Sequence, residues 1–166
     1  TKDNVSEFKK LHHMVINNAQ NEFGRDFKPV CIMQLTHSGR FSKPEGPPAP
    51  VIAYHNPYLD QTRKIDENTP IIDDDYLERL EEKFEEAAVL AKEAGFDGVD
   101  IKACHRYLNS ELLGGFVREG KYGGDFEGRT RFLVNVVDRI KHRLDKGFII
   151  ATRLNIYDGI PYPYGW

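Results

Sequence analysis

Three short apolar runs, each set behind a helix-like segment, constrain this 166-residue chain more than any other feature. They are Pro29-Val30-Cys31-Ile32-Met33-Gln34-Leu35, Gly98-Val99-Asp100-Ile101-Lys102 and Phe148-Ile149-Ile150-Ala151-Thr152-Arg153. All are too short for helices and rich in β-branched residues, so they read as strands. The first is apolar until Gln34, which predicts burial on both faces and hence a parallel sheet.

The segments between them carry the helical period. From about Asn4 to Asn21, the residues Val5, Phe8, Leu11, Val15, Ile16 and Ala19 mark one face, and Gly24 stands where a helix stops. Asp73, Asp74 and Asp75 offer N-caps for a second helix, whose apolar face runs from Leu77 through Phe84 and Ala88 to Ala94 before Gly95. A third, from about Gly128 to Leu144, buries Phe132, Val136, Val137 and Ile140 and ends in Lys141-His142-Arg143, cations at the negative end of its dipole. A Gly-rich loop is expected between the second strand and this helix. Helices alternating with strands imply right-handed βαβ units and a parallel α/β sheet in one domain.

Thr36 to Ile72 is different. Pro44, Pro47, Pro48, Pro50, Pro57 and Pro70 exclude a long helix, while Phe41, Tyr54 and Tyr58 argue against disorder. An ordered excursion over the mouth of the sheet is expected, with room for a small hairpin. The net charge of −3, with no basic block, argues against nucleic acid or membrane surfaces as partners. No apolar run approaches the ~18 residues a membrane span needs. Two cysteines, Cys31 and Cys104, are too few for a disulfide framework and favour a reducing, cytoplasmic compartment. The polar N-terminus without an initiating Met reads as a cut from a longer chain.

Every strand ends in a polar group, namely Gln34, Lys102 and Arg153, and a parallel sheet gathers those ends on one side. Each alone equally suits a strand emerging into solvent; three together point to a site. Gln34 and Arg153 offer the mixed donor and acceptor set that suits the edge of a planar heterocycle with alternating carbonyl and N–H groups. Just past the second strand stand Cys104, His105, Arg106 and Tyr107. A phenol titrates near ~10, so a Tyr here can donate a proton, although a Tyr packing at a helix start is as common. His105 can donate to a substrate carbonyl or simply bond backbone. A desolvated strand-end lysine such as Lys102 can form a Schiff base, but most stay solvated. Neither a phosphate-binding Gly loop nor a zinc spacing is present; His12-His13 reads as surface helix, and no metal is expected.

Gln34-Leu35-Thr36-His37-Ser38-Gly39-Arg40 resembles the QLxHxGR segment of the Old Yellow Enzyme family, the FMN-dependent NAD(P)H:flavin oxidoreductases and 2,4-dienoyl-CoA reductases. The run from Ala91 to Ile101 is similar to that family's AxxAGFDGVEI, His105-Arg106-Tyr107-Leu108 to its HGYL, and Tyr122-Gly123-Gly124 with Arg129 and Phe132 to its YGGSxxNRxRF. Arg153-Leu154 corresponds to the arginine ending its fifth strand. The resemblance implies a parallel (β/α)8 TIM-type barrel, of which residues 1–166 would cover roughly helix 2 to strand 5. It also implies FMN as cofactor, contacted by Gln34 and Arg153, with NAD(P)H as reductant. Lys102 and His105 take the positions that grip the substrate, and Tyr107 that of the proton donor in reduction of an activated alkene. Lys102 stands where the family usually has His, a change that favours an acidic substrate; Arg106 replaces a Gly and Gly128 an Asn.

A whole barrel takes ~250 residues, so a partial barrel is expected, lacking the phosphate-binding loops after strands seven and eight. Such a piece should bind FMN poorly alone, be inactive, and self-associate through uncovered sheet edges. Two other readings stand beside this one: a non-catalytic half-barrel remnant or interaction module, and a Schiff-base lyase using Lys102.

Overall fold

In the computed structural model, which describes residues 1–166, the apolar runs become three parallel strands: β1 (Ile32–Leu35), β2 (Gly98–Ala103) and β3 (Ile149–Leu154). The helices are α1 (Val5–Phe23), α2 (Asp60–Arg63), α3 (Asp74–Glu93), α4 (Leu108–Leu113) and α5 (Phe126–Arg143). The strands lie in chain order with β2 central. Each crossover therefore steps the same way, as in the wall of a barrel, whereas a doubly wound sheet reverses its order. The fold is α/β, part of a parallel barrel.

Alternation along the strands decides what is buried. Leu35, Val99 and Ile101 point to the helix face and pack with Leu77, Phe84, Ala88 and Ala91 of α3 and Phe132, Val136 and Ile140 of α5. The rings of Phe84 and Phe132 meet edge-on at 5.7 Å. The other face carries Ile32, Gln34, Asp100, Lys102, Ala151 and Arg153, and no helix of this chain covers it. That corrects the expectation for β1: Ile32 is 41% exposed and Gln34 is exposed, because only one face has a partner. At the β2–β3 contact a Cβ on Gly98 would lie 2.4 Å from the Ile149 carbonyl oxygen, so the strands can approach only at a glycine.

Caps set the helix boundaries. Asp73 accepts from the Tyr76 amide at 2.7 Å and starts α3. Asp125 accepts from the Gly128 amide at 2.8 Å, so α5 begins at Phe126, ahead of the Gly128 that the periodicity suggests. The expected Gly-rich loop contains α4, all six of whose residues are buried. A helix with no solvent face has no amphipathic period to read.

The excursion from Thr36 to Ile72 is ordered without a hairpin. It holds a 3-10 turn at Gly39–Phe41, the short α2, and a single parallel bridge between Ile52 and Ile71. Its anchor is buried and ionic. Arg40 Nε donates to Glu111 Oε2 on α4, and Nη1 to Asp60 Oδ1 on α2, both at 2.7 Å. Glu111 Oε1 also accepts from the Ala53 amide at 2.8 Å. Arg118 adds a second tie, donating to the carbonyls of Ala53 and Ile72 and to Asp74. The C-terminal stretch folds back onto this layer, where Tyr164 O accepts from Tyr54 Oη and Asn56 Nδ2 at 3.0 Å each. No helix is long and apolar enough to cross a membrane.

Breaking a buried ion pair strands a desolvated charge. Glu111→Gln, which preserves shape, should therefore cost about 3 kcal/mol of unfolding free energy. Urea denaturation reads this out, and a loss below ~1 kcal/mol, the scale of an exposed pair, would show that the pair does not anchor the loop layer.

Candidate active site

Register places the polar strand ends together. Gln34 lies opposite Asp100, and Lys102 opposite Arg153, all with the parity of the uncovered face. Gln34 Nε2 donates to Asp100 Oδ2 at 2.7 Å, leaving the Gln34 side-chain carbonyl available. Asp100 Oδ1 is buried with no hydrogen-bond partner. An open trough runs along this face, lined by Ile32, Gln34, Asp100, Ala151 and Arg153.

Beyond β2 the chain turns through two consecutive left-handed residues, His105 at φ 60° and Arg106 at φ 57°. The Tyr107 amide then donates to Cys104 O at 3.3 Å, and Tyr107 O accepts from the Glu111 amide at 2.8 Å, which seats Tyr107 at the head of α4. This turn folds Tyr107 back over the strand end: Lys102 Nζ lies 3.7 Å from its ring centroid. Such a cation–π contact fixes the ring while leaving the hydroxyl at its edge. Phe41 packs on the same ring at 5.5 Å between centroids, and the Arg63 guanidinium sits 4.1 Å from the Phe41 centroid. Arg106 Nη2 donates to Asp158 O at 3.1 Å, and His105 stands exposed at the turn.

The residues after Gln34 hold this corner. Leu108 N donates to His37 O at 3.2 Å, which joins the end of β1 to the start of α4. The Gly39 amide donates to His37 Nδ1 at 3.1 Å, and Nε2 bonds the Tyr76 hydroxyl at 2.9 Å. Gly39 has φ 58°, and a Cβ there would lie 2.8 Å from Leu108 N, so the corner closes only around glycine. Burial depresses the His37 pKa below its ordinary value.

Of the residues expected from sequence, Lys102 meets Tyr107 directly, Gln34 and Arg153 flank β2 on one face, and His105 has no side-chain partner drawn into the cluster. Sequence reasoning missed Asp100, although an acid inside an apolar strand at the parity of Lys102 was a usable signal. It also missed His37, Arg40 and Glu111 as the supports of the corner.

A model of the NADH:flavin oxidoreductase / NADH oxidase family matches residues 2–162. The chain belongs to that family. It is 34% identical over 130 residues to an NADH oxidase of Thermoanaerobacter brockii, covering 74% of this chain and 19% of that protein. It is 43% identical over 76 residues to a cinnamate reductase of Clostridium sporogenes, covering 44% of this chain and 11% of the reductase. The solved structure of a 2-naphthoyl-CoA reductase superposes with a TM-score of 0.71 at 24% identity, covering 93% of this chain and 24% of that one. That likeness concerns the fold. The matched stretch covers between about a tenth and two fifths of the length of the relatives it resembles.

The depressed His37 pKa has a definite sign in stability. Below the unfolded value of 6.5 the unfolded chain takes up a proton that the folded chain resists. This contribution is complete above 6.5 and is lost as pH falls. His37→Gln should therefore narrow its stability deficit against the parent as pH is lowered from neutral, measured by urea denaturation; a constant deficit would rule out the linkage.

Proposed function

We propose that this chain forms one wall of the active site of an FMN-dependent oxidoreductase that uses NAD(P)H to reduce an activated alkene, with Tyr107 as proton donor. The observation that carries this reading is the seating of Lys102 on the Tyr107 ring, at the end of a sheet face that presents Gln34 and Arg153.

The residues fit the pyrimidine side of a flavin. With Nε2 committed to Asp100, Gln34 offers its carbonyl oxygen to a ring N–H, while Arg153 offers donors to ring carbonyls. The unpartnered Asp100 Oδ1 marks the same face as one with hydrogen-bonding capacity still to fill. A phosphate cradle is expected from the strands that would complete the barrel. When bound, the flavin supplies the hydride after recharging by the nicotinamide nucleotide.

The chain's own residues do the rest. Lys102 and His105 hold the activating group and draw electron density from the conjugated double bond. The Tyr107 hydroxyl gives its proton to the carbon beside that group and is reprotonated from solvent. Hydride on one carbon and a proton on its neighbour complete a two-electron reduction. A fixed cation at Lys102 matches a conjugated carboxylate better than a neutral ketone. Cinnamate, for which one relative is named, is such an acid. The excursion 36–72 serves as the loop over the strand ends. The reading places the protein in the cytoplasm, where its free thiols Cys31 and Cys104 stay reduced. The bare edges of β1 and β3 make the isolated chain self-associate.

In the flavin-loaded enzyme containing this chain, Tyr107→Phe should slow substrate reduction by ~10²-fold or more. Flavin reduction by NAD(P)H should stay within a few-fold; equal loss in the two half-reactions would remove the proton-donor role. Lys102→Met should raise KM for an unsaturated acid about tenfold, the loss of one charged hydrogen bond. KM for a neutral enone should change little, while kcat falls for both substrates because the Tyr107 ring loses its cation; parallel KM changes for both would exclude recognition of the carboxylate by Lys102.

A further inference from the structure

The opposite end of the sheet, where the strands begin, holds a cluster with no part in alkene reduction. His12 of α1, Cys31 just ahead of β1 and Asp97 just ahead of β2 bring Nδ1, Sγ and a carboxylate oxygen within 4.8 Å of one another. Two of the three are clamped by the backbone. The Cys31 amide donates to Asp97 Oδ2 at 2.7 Å, and the Asp97 amide donates to Cys31 O at 2.9 Å. Asp97 O in turn accepts from Ile149 N at 2.9 Å, which ties the pair into the sheet.

His12 arrives from the helix layer, its ring packed on Phe96 at 5.4 Å between centroids. Its Nδ1 is buried and has no hydrogen-bond partner. A buried polar atom without a partner is costly, and it is rare enough to require a reason. Gly95 faces it, and a Cβ there would come within 3.1 Å of Nδ1, so the glycine keeps the space beside the nitrogen open. The helix that carries His12 is weakly docked by apolar contact. Only Val5 of α1 is buried, while Phe8, Leu11, Met14 and Val15 are 40% to 60% exposed.

We propose that His12, Cys31 and Asp97 form a three-ligand site for a borderline divalent transition metal, best matched by Zn²⁺, that fastens α1 to the floor of the barrel. Imidazole nitrogen, thiolate sulfur and carboxylate oxygen are each donors that zinc accepts, and water would complete four-coordination. Tetrahedral bond lengths place such donors about 3.3–3.6 Å apart. The three atoms, all within 4.8 Å of one another, therefore need to close by no more than about 1.5 Å, a movement within reach of side-chain rotation. The ligands lie at sequence positions with no zinc-motif spacing, which explains why no metal is expected from sequence alone. The site is remote from the strand ends that carry the proposed reduction and depends on neither flavin nor substrate.

Cobalt(II) titration of the 166-residue chain tests this. One equivalent should produce a thiolate-to-cobalt charge-transfer band and the intense visible bands of a tetrahedral ion, both bleached by Zn²⁺. Cys31→Ser should abolish the charge-transfer band and His12→Gln should weaken binding at least tenfold. Independently, Zn²⁺ should slow alkylation of Cys31 by iodoacetamide at least tenfold, read by peptide mass spectrometry on the unmodified sequence. Absence of the charge-transfer band with excess Co²⁺ in a chain shown folded by circular dichroism would overturn the proposal. So would its persistence in Cys31→Ser, or unchanged alkylation with Zn²⁺.

Discussion

The arrangement of this chain hangs on one guanidinium removed from water. Arg40 is 2% exposed and Glu111 3%, and neither can be left alone in that environment. Burial works against the Arg40 charge, but the Glu111 and Asp60 carboxylates more than restore it and raise its pKa. Through Asp60 the pair holds α2, through Glu111 it holds α4, and through the Ala53 amide it holds an excursion with almost no regular structure of its own. Tyr107 is the residue immediately before α4. The position of the proposed proton donor is therefore set by an ion pair that meets it only through the backbone, where the Glu111 amide donates to Tyr107 O.

The inner face of the sheet has its own electrostatic logic. Lys102 and Arg153 are register partners, and like charges directly opposite one another are unfavourable. The nearby acid, Asp100, already accepts from Gln34. The face therefore favours negative charge above it, although the chain as a whole carries −3. An acidic substrate and an electron-rich heterocycle would each relieve the same repulsion, which links the two halves of the proposed reaction to one property of the sheet.

Periodicity made most of the architecture legible. The positions of β2, β3 and α3, the parallel pairing, and the polar strand ends Gln34, Lys102 and Arg153 could all be taken from spacing, since strands alternate and helices repeat. What failed did so for definable reasons. An apolar β1 read as doubly buried because sequence cannot show that one face lacks a cover. The buried α4 had no polar face to betray it. Arg40 and Glu111 are 71 residues apart, so their pairing follows from the fold rather than from any local pattern. The contact of Lys102 with Tyr107 was equally hidden, because it depends on the left-handed torsions of His105 and Arg106, two of the three residues between the strand and the tyrosine.

Those two residues also limit how this corner can diversify. With φ near +60° at both His105 and Arg106, a valine or isoleucine at either position would strain the backbone and displace Tyr107. Asparagine, aspartate, histidine and glycine tolerate that conformation best. The position proposed to contact the substrate thus draws on a restricted alphabet, one composed mostly of small polar or hydrogen-bonding side chains. Relatives adapting to new substrates would be freer to change Lys102, which sits in the extended backbone of β2, than His105.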